Sequence, residues 1–451
     1  MQATGVLCNT EAAVPKYRVR YNDGNDGVNR MKVLVVGGGG REHALVWKIS
    51  QSSRVSRIYC APGNGGISEL AECVNIPATD VEGIVRFAKQ NNIDLTVVAP
   101  DDPLAMGMVD ALQAEGLRAF GPTRDAAMIE SSKVFAKNLM HKYGIPTAKY
   151  KVFDNYDQAV KYVEQIEYPA VIKAEGLALG KGVIIAKDVY EAKGALRAMM
   201  VDKVFGQAGL RVVIEEHLTG PEVSVLTFTD GRTVIPMVSA QDHKRAYDGD
   251  QGPNTGGMGA FSPSRVYAPE VAKEVEDCII RPTIRAMAEE GRLFKGVLYF
   301  GLMLTEQGPK VLEYNARFGD PETQVVLPRL KTDIVDIFEA VIDERLDEIN
   351  IEWEDNAAVC VVLVSGGYPK SYKTGYEISG IEEVLKEPGI MVFHAGTKKI
   401  GGKYYTSGGR VLGVTAIAKD LDTAIQKVYQ NVEKIRFENM HYRRDIGGKR
   451  N

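Results

Sequence analysis

No run of the sequence approaches the roughly 18 uninterrupted apolar residues that a membrane-spanning helix requires, which excludes a spanning segment. Cysteine is scarce. The five that occur (Cys8, Cys60, Cys73, Cys278 and Cys360) are scattered, odd in number and never arranged as CxxC. Neither a disulfide framework nor a zinc site is indicated, and a reducing, cytoplasmic setting is expected. Positive charge is not in excess either: the formal net charge is −4 and the pI near 6.0. That balance argues against a protein that holds nucleic acid by broad phosphate neutralisation, while local Lys and Arg clusters can still bind an anionic small molecule. Internal repeats and low-complexity blocks are lacking. The first thirty residues offer no apolar core for a secretory signal. They contain no serine and carry Glu11, Asp23 and Asp26, unlike a transit peptide, and they read as a disordered extension.

With 451 residues, 45% hydrophobic and 25% charged, the chain suits a globular protein of two to four domains. From Met31 the pattern is apolar strand, glycine turn, amphipathic helix. Lys32 to Val36 runs into Gly37 to Gly40 and then a helix, and RIYCA, IDLTVVAP and LRAFGP supply three more strands. Segments Glu82 to Gln90 and Leu104 to Glu115 read as intervening helices, so the roughly one hundred residues from Met31 onward form a parallel α/β unit. Thr123 to Tyr143 reads as one or two helices, with a domain boundary near Glu130. A small α+β unit follows, built from PAVIKA, KGVIIA, RVVIEEHL and a helix over Val189 to Met200. Next come a hairpin closed by Asp230 and Gly231, a polar glycine-rich stretch, a helix around Val271 to Glu290, and the strands GVLYFGLML and PKVLEYNA. Beyond Ala357 short strands alternate with glycine turns and one helix around Thr423 to Arg436.

Four segments carry chemistry. GGGGREHA places glycines at a strand-to-helix junction, where backbone N–H groups favour an anion. The dinucleotide pattern GxGxxG fails, since Glu42 or His43 occupies the last glycine position, and a substrate phosphate fits better than NAD. A tight turn needing glycine for packing also accounts for it. In KAEGLALGKGVII, Lys173 ends a strand and Lys181 stands between Gly180 and Gly182, an arrangement suited to closing over a triphosphate. In PKVLEYNARFGDPE, Glu313 and Asn315 lie two apart on a strand and present hard oxygen ligands on one face for Mg²⁺; Arg317 shares that face if the strand continues and can grip a carboxylate bidentately. The stretch from Gln241 to Phe261 reads as a loop of about twenty residues holding Asp242, His243, Lys244 and Arg245, and loops of that length in compact domains are usually functional or disordered.

These segments, with APGNGG, VIEEHL, FHAGT, GGRVL and the closing RDIG, resemble the phosphoribosylamine–glycine ligase family (glycinamide ribonucleotide synthetases) of the ATP-grasp superfamily, from Met31 to about Gly447. The stretches QDHKRAYDGDQGPNTGGMGA and RFGDPETQ are its specific signatures. The resemblance implies an N-terminal parallel α/β domain over 31–131, a central ATP-grasp domain over 132–327 with a mobile lid about 146–217, and a small α+β C-terminal domain over 328–451. It implies ATP with Mg²⁺ or Mn²⁺ as cofactors. Glycine and 5-phosphoribosylamine would be the substrates, joined through glycyl phosphate to give glycinamide ribonucleotide, ADP and phosphate. No nucleic-acid or membrane partner is implied, and a monomer is the expected working unit. Carried over by position, Lys133, Lys173, Glu175, Gly180, Lys181 and Gly182 would meet the nucleotide phosphates, Glu215, Glu216 and Leu218 the adenine, and Glu222 the ribose. Glu313 and Asn315 would hold the metal. Arg317 would take the glycine carboxylate, acting with Lys173 in catalysis, and Gly37, Gly39, Gly40, Asp242, Lys244, Arg245 and Asp320 would face substrate.

Overall fold

The computed structural model describes residues 30–177 and 182–448. Met31–Gly37 is the middle strand of a five-stranded parallel sheet in the order Glu72–Cys73, Val55–Pro62, Met31–Gly37, Leu95–Val98, Ala119–Phe120. Its second neighbour, Leu95–Val98, lies on the opposite side from its first, so the crevice beyond the strand's carboxyl end is a topological switch point, where open α/β sheets receive ligands. Gly37–Gly40 turns there into the helix Gly40–Ile49. Where one helix is expected over Leu104 to Glu115, the structure has two, Asp101–Ala105 and Met108–Ala114. Gly107 adopts φ +85° between them, a left-handed conformation that ends the first and turns the chain into the second.

The expected helical stretch after Gly121 likewise divides in two, Arg124–Ser131 and Lys133–Tyr143. Thr123 caps the first and Ser132 the second, each side chain accepting an N–H of the first turn. A four-stranded antiparallel sheet follows, ordered Tyr150–Phe153, Val212–Glu216, Ala170–Ala174, Val183–Ala186. Its own apolar core, including Val163, Ile172, Leu196, Met199 and Ile214, is separate from the larger cores. A second antiparallel sheet is ordered Val234–Pro236, Glu222–Thr229, Gly296–Thr305, Gly308–Asn315. The hairpin turn joining its first two strands is fixed by the Asp230 carboxylate, which accepts the N–H groups of Arg232 and Thr233.

The stretch 241–261 is not a loop, contrary to the reading of its sequence. Gln241–Asp242 and Gly259–Ser262 are strands that extend the C-terminal sheet, pairing through Gly259–Ser262 with Ala357–Ser365. Arg245–Tyr247 and Gln251–Asn254 form a small hairpin between them. Polar and glycine-rich composition concealed these strands, because two to four residues of backbone pairing need no apolar alternation. Strands Arg410–Ala418 and Ile390–His394 complete the C-terminal sheet, and Met440–His441 pairs along Ala357–Ser365. One continuous apolar core joins the N-terminal sheet (Val33, Val35), the central sheet (Leu226, Phe228), the helix Ile334–Ile342 and the C-terminal sheet (Cys360, Val362). Among the described residues no helix is long and apolar enough to cross a membrane.

Candidate active site

A cavity of about 720 Å³ lies between the two antiparallel sheets and runs toward the N-terminal switch point and the C-terminal sheet. One end is apolar. Ala148, Leu218 and Met303 form a buried cluster with Leu312 against them, and Val171 and Ile185 also line this part of the cavity. A flat aromatic ring fits such a slot between two sheets.

Cations stand beside it. Lys173, on Ala170–Ala174, and Lys137, on the helix Lys133–Tyr143, reach the same buried carboxylate oxygen of Glu215 at 3.1 and 3.0 Å. Lys173 also donates to the Leu312 carbonyl, and Lys133 to the Gly176 carbonyl, both at 3.0 Å. Burial lowers the Lys133 ammonium from its ordinary value and brings Lys137 down to about 8, against the pull of nearby carboxylates. Two of these lysines thus sit desolvated, an environment that a polyanion would stabilise.

The strand Gly308–Asn315 sends Glu313 and Asn315 into the cavity, as their two-residue spacing requires. Lys244 contacts the Glu313 carboxylate at 3.3 Å and Glu222 at 3.6 Å. Lys244 first, and then Lys173 and Lys133, hold the Glu313 carboxyl down at about 2 in spite of its burial. Burial has the opposite result at Asp242 and Glu322, whose carboxyls it raises. Glu322 accepts from Ser224 at 3.2 Å, and the Ser224 hydroxyl meets Tyr299 at 2.9 Å.

The strand ends at Asn315, yet Arg317 still lines the cavity and donates to Asn315 Oδ1 at 3.3 Å. Glu130, at 3.0 Å, and Asp101, at 3.9 Å, anchor its guanidinium, and Glu130 also accepts the Ala316 N–H at 2.7 Å. Asp320 is gripped by Arg410 from the C-terminal sheet at 3.0 Å and by Gln324 at 2.7 Å. These charges make the far end of the cavity polar and built from all three parts of the chain.

Of the residues expected at the site, Lys133, Lys173, Gly182, Glu215, Glu216, Leu218, Glu222, Asp242, Lys244, Arg245, Glu313, Asn315, Arg317 and Asp320 line the cavity. Gly180 and Lys181 lie outside the described residues. Glu175 turns its carboxylate to Ser132 and Arg211 instead. Gly37, Gly39 and Gly40 stand behind Arg41, which lines the cavity in their stead. The Gly39 N–H is accepted by Glu42, and a Cβ on Gly38 would meet the Gly63 carbonyl at 2.5 Å, so packing and capping account for that glycine run. Glu215 and Glu216 direct their carboxylates at lysines: the first at Lys137 and Lys173, the second toward Lys310, with its Oε1 accepting the Lys149 N–H. Sequence reading missed Lys137, although its place four residues after Lys133 puts both on one helix face. It also missed Arg41, Asp101, Glu130, Tyr299, Met303, Leu312, Glu322 and Arg410, most of which stand outside any motif of charge or glycine.

An apolar slot flanked by buried lysines between two antiparallel sheets, with a carboxylate and amide pair at its floor, defines an ATP-grasp protein. Domain models of phosphoribosylglycinamide synthetase match the chain in sequence: the N domain over 31–130, the ATP-grasp (A) domain over 131–323 and the C domain over 358–449. The chain belongs to the phosphoribosylglycinamide synthetase family. It is 53% identical to a phosphoribosylamine–glycine ligase of Caldanaerobacter subterraneus, over 92% of this chain and 99% of that one. It is 49% identical to a trifunctional purine biosynthetic protein of Gallus gallus, over 92% of this chain and 42% of that one. The crystal structure of phosphoribosylamine–glycine ligase from Thermotoga maritima superposes with a TM-score of 0.80 at 32% identity, covering 92% of this chain and 99% of that one. A biotin carboxylase from Campylobacter jejuni shares the fold alone, with a TM-score of 0.70 at 13% identity over 92% of this chain and 93% of that one.

Proposed function

We propose that the protein ligates glycine to 5-phosphoribosylamine at the expense of ATP, giving glycinamide ribonucleotide, ADP and phosphate, a step of purine biosynthesis. The observation that carries this reading is the family match along the three domains together with a cavity that all three line. Adenine lies in the slot of Ala148, Leu218, Met303 and Leu312, and Lys133, Lys137 and Lys173 neutralise the phosphates. Glu222 faces the ribose.

The donor set at the cavity floor fits Mg²⁺ or Mn²⁺. Among the described residues no group of three or more His, Cys, Asp or Glu forms a metal cage, but Mg²⁺ is commonly held by one or two carboxylates and completed by phosphates and water. Glu313, ionised at any pH above about 2, and Asn315 beside it would supply two hard oxygens. The ion would neutralise phosphate charge.

Glycine's carboxylate, aligned by Arg317, takes the γ-phosphoryl group and becomes glycyl phosphate. The amine of phosphoribosylamine then attacks the acyl carbon and phosphate leaves. No protein nucleophile is required, since alignment and fixed charge can supply most of the acceleration in phosphoryl transfer. Arg317 suits its task because Glu130 and Asp101 fix the guanidinium in place. Asp242, Lys244, Arg245 and Asp320 face the phosphoribosyl group.

ADP release, measured with ATP and phosphoribosylamine while glycine is exchanged for alanine, aspartate or bicarbonate, tests the assignment. Stimulation by glycine above the others is expected. A rate indifferent to glycine would remove it.

A further inference from the structure

The hairpin of Arg245–Tyr247 and Gln251–Asn254 belongs to neither large sheet of the cavity, yet Arg245, Asp250, Asn254, Thr255 and Gly256 form one of its walls. It is held from behind by the end of the chain. Arg443 is wholly buried there: it makes a bidentate pair with Asp445 at 2.7 and 2.6 Å, and one Nη donates to Asp250 at 2.8 Å and to the Arg245 carbonyl at 3.1 Å. Asp445 in turn accepts the Gly249 N–H at 2.9 Å, and Asp248 accepts that of Arg444 at 2.7 Å. His441 Nε2 meets the Ala246 carbonyl at 2.9 Å, and His243 Nε2 accepts the Gly447 N–H at 3.2 Å. The terminal segment is itself fixed by the pairing of Met440–His441 along Ala357–Ser365 and by the Tyr429 hydroxyl, which donates to the Arg443 carbonyl at 3.0 Å.

Tight turns alone do not account for this arrangement. Asp250 has φ +53°, a left-handed backbone that non-glycine residues adopt uncommonly. In that conformation its carboxylate reaches back to Arg443 while the residue lines the cavity. A planar guanidinium can hold Asp445 bidentately and Asp250 at the same time, which the single ammonium of lysine cannot match.

We propose that Arg443 is a positioning residue, and that segment 441–447 is a clamp that sets the hairpin wall against the phosphoribosyl substrate. The inference rests on the reading of Arg245 as facing that substrate. Arg443 touches no ligand itself. It acts by keeping Arg245 and Asp250 in one conformation, so its loss should raise KM for phosphoribosylamine and leave the nucleotide slot, which lies elsewhere in the cavity, unchanged.

The test compares the full-length enzyme with Arg443→Met, Arg443→Lys and Asp445→Asn, phosphoribosylamine being generated from ribose 5-phosphate and ammonia. KM for phosphoribosylamine should rise by about tenfold or more in Arg443→Met, with KM for ATP within about twofold, because a charge-assisted contact set has been lost on one wall alone. Arg443→Lys should restore little, and added methylguanidinium should partly restore Arg443→Met. Limited trypsin digestion supplies a readout independent of turnover: cleavage after Lys244 and Arg245 should be faster in both Arg443 variants. Unchanged cleavage and unchanged KM would overturn the clamp, and so would faster cleavage with unchanged KM. Arg245→Ala separates the two levels of the argument: if that variant keeps the wild-type KM, the hairpin does not face the substrate and the site assignment itself is wrong. If the Arg443 variants do not fold, Asp445→Asn decides alone on the same two readouts.

Discussion

Glu313 keeps its charge because three lysines surround it, although burial alone would favour the neutral acid. Substituting alanine removes the carboxylate that Lys244 contacts and that Lys173 and Lys133 hold ionised. Glu313→Ala should therefore abolish ADP production, with a loss of about 10³-fold or more, a scale ordinary for removing a group that fixes phosphoryl charge. Circular dichroism should show the fold retained. Mg-dependent turnover at the wild-type rate would remove Glu313 from the metal site. Much of this chemistry was legible before the fold was known. Lys173, Glu313 and Asn315 stand in short segments where strand spacing fixes the face a side chain takes, whereas Arg317 lies past the strand's end and reaches the cavity without that spacing. Lys137 and Glu130 were not legible, since each reaches the cavity from a helix whose orientation depends on packing. Glu215 was placed in the cavity for another role, and its carboxylate proves to be the partner of two lysines.

Among the elements, the strand Gly259–Ser262 carries the largest difference between expectation and structure. Its sequence offers no alternation, and its place in the C-terminal sheet depends on close approach: a Cβ on Gly259 would meet the Cys360 carbonyl at 2.6 Å and the Ile446 side chain at 2.9 Å. Backbone cannot yield as a flexible side chain does. Gly259→Ala should destabilise the protein by about 1–3 kcal/mol, the usual cost of overpacking, visible as a lower urea midpoint with an unchanged slope. A midpoint equal to wild type would show that the seam between the central and C-terminal parts is looser than its geometry. The sheet over Tyr150–Phe153, Ala170–Ala174, Val183–Ala186 and Val212–Glu216 is a different case. Its apolar strands are plain in the sequence, and so is the small core they bury with their helices.

The whole molecule is joined along a seam where His43, from the helix Gly40–Ile49, meets His394 of the C-terminal sheet. His43 Nδ1 accepts the His394 backbone N–H at 2.8 Å, and the rings lie 5.5 Å apart. Burial lowers both imidazoles, His43 with help from His394, and His394 to about 3 with help from Lys399. The unfolded histidines thus take up protons first as pH falls below 6.5, the ordinary value, so their contribution to stability is full above that pH and declines toward about 3, while the raised Asp242 carboxyl works in the opposite direction. Glu313, held at about 2, adds a loss in the histidines' direction below its ordinary 4.5. Between pH 7.5 and pH 5 His394→Gln, which cannot be protonated, should accordingly lose less melting temperature than the wild type. An equal drop in the variant would assign the acid lability to other groups.

By itself the sequence determined the residue types and their local geometry: strand period, glycine turns, a pair of oxygens suited to a metal, lysines suited to phosphate, and a family signature that runs through all three domains. Those features are local, fixed by backbone period and residue type within a few positions. Tertiary structure alone decided which distant groups share the cavity. Arg41, Glu130, Lys137, Arg410 and the terminal segment around Arg443 reach the site or its walls through packing and pairing between residues far apart in the chain. Such contacts depend on the burial of one continuous core, which no short window of sequence contains.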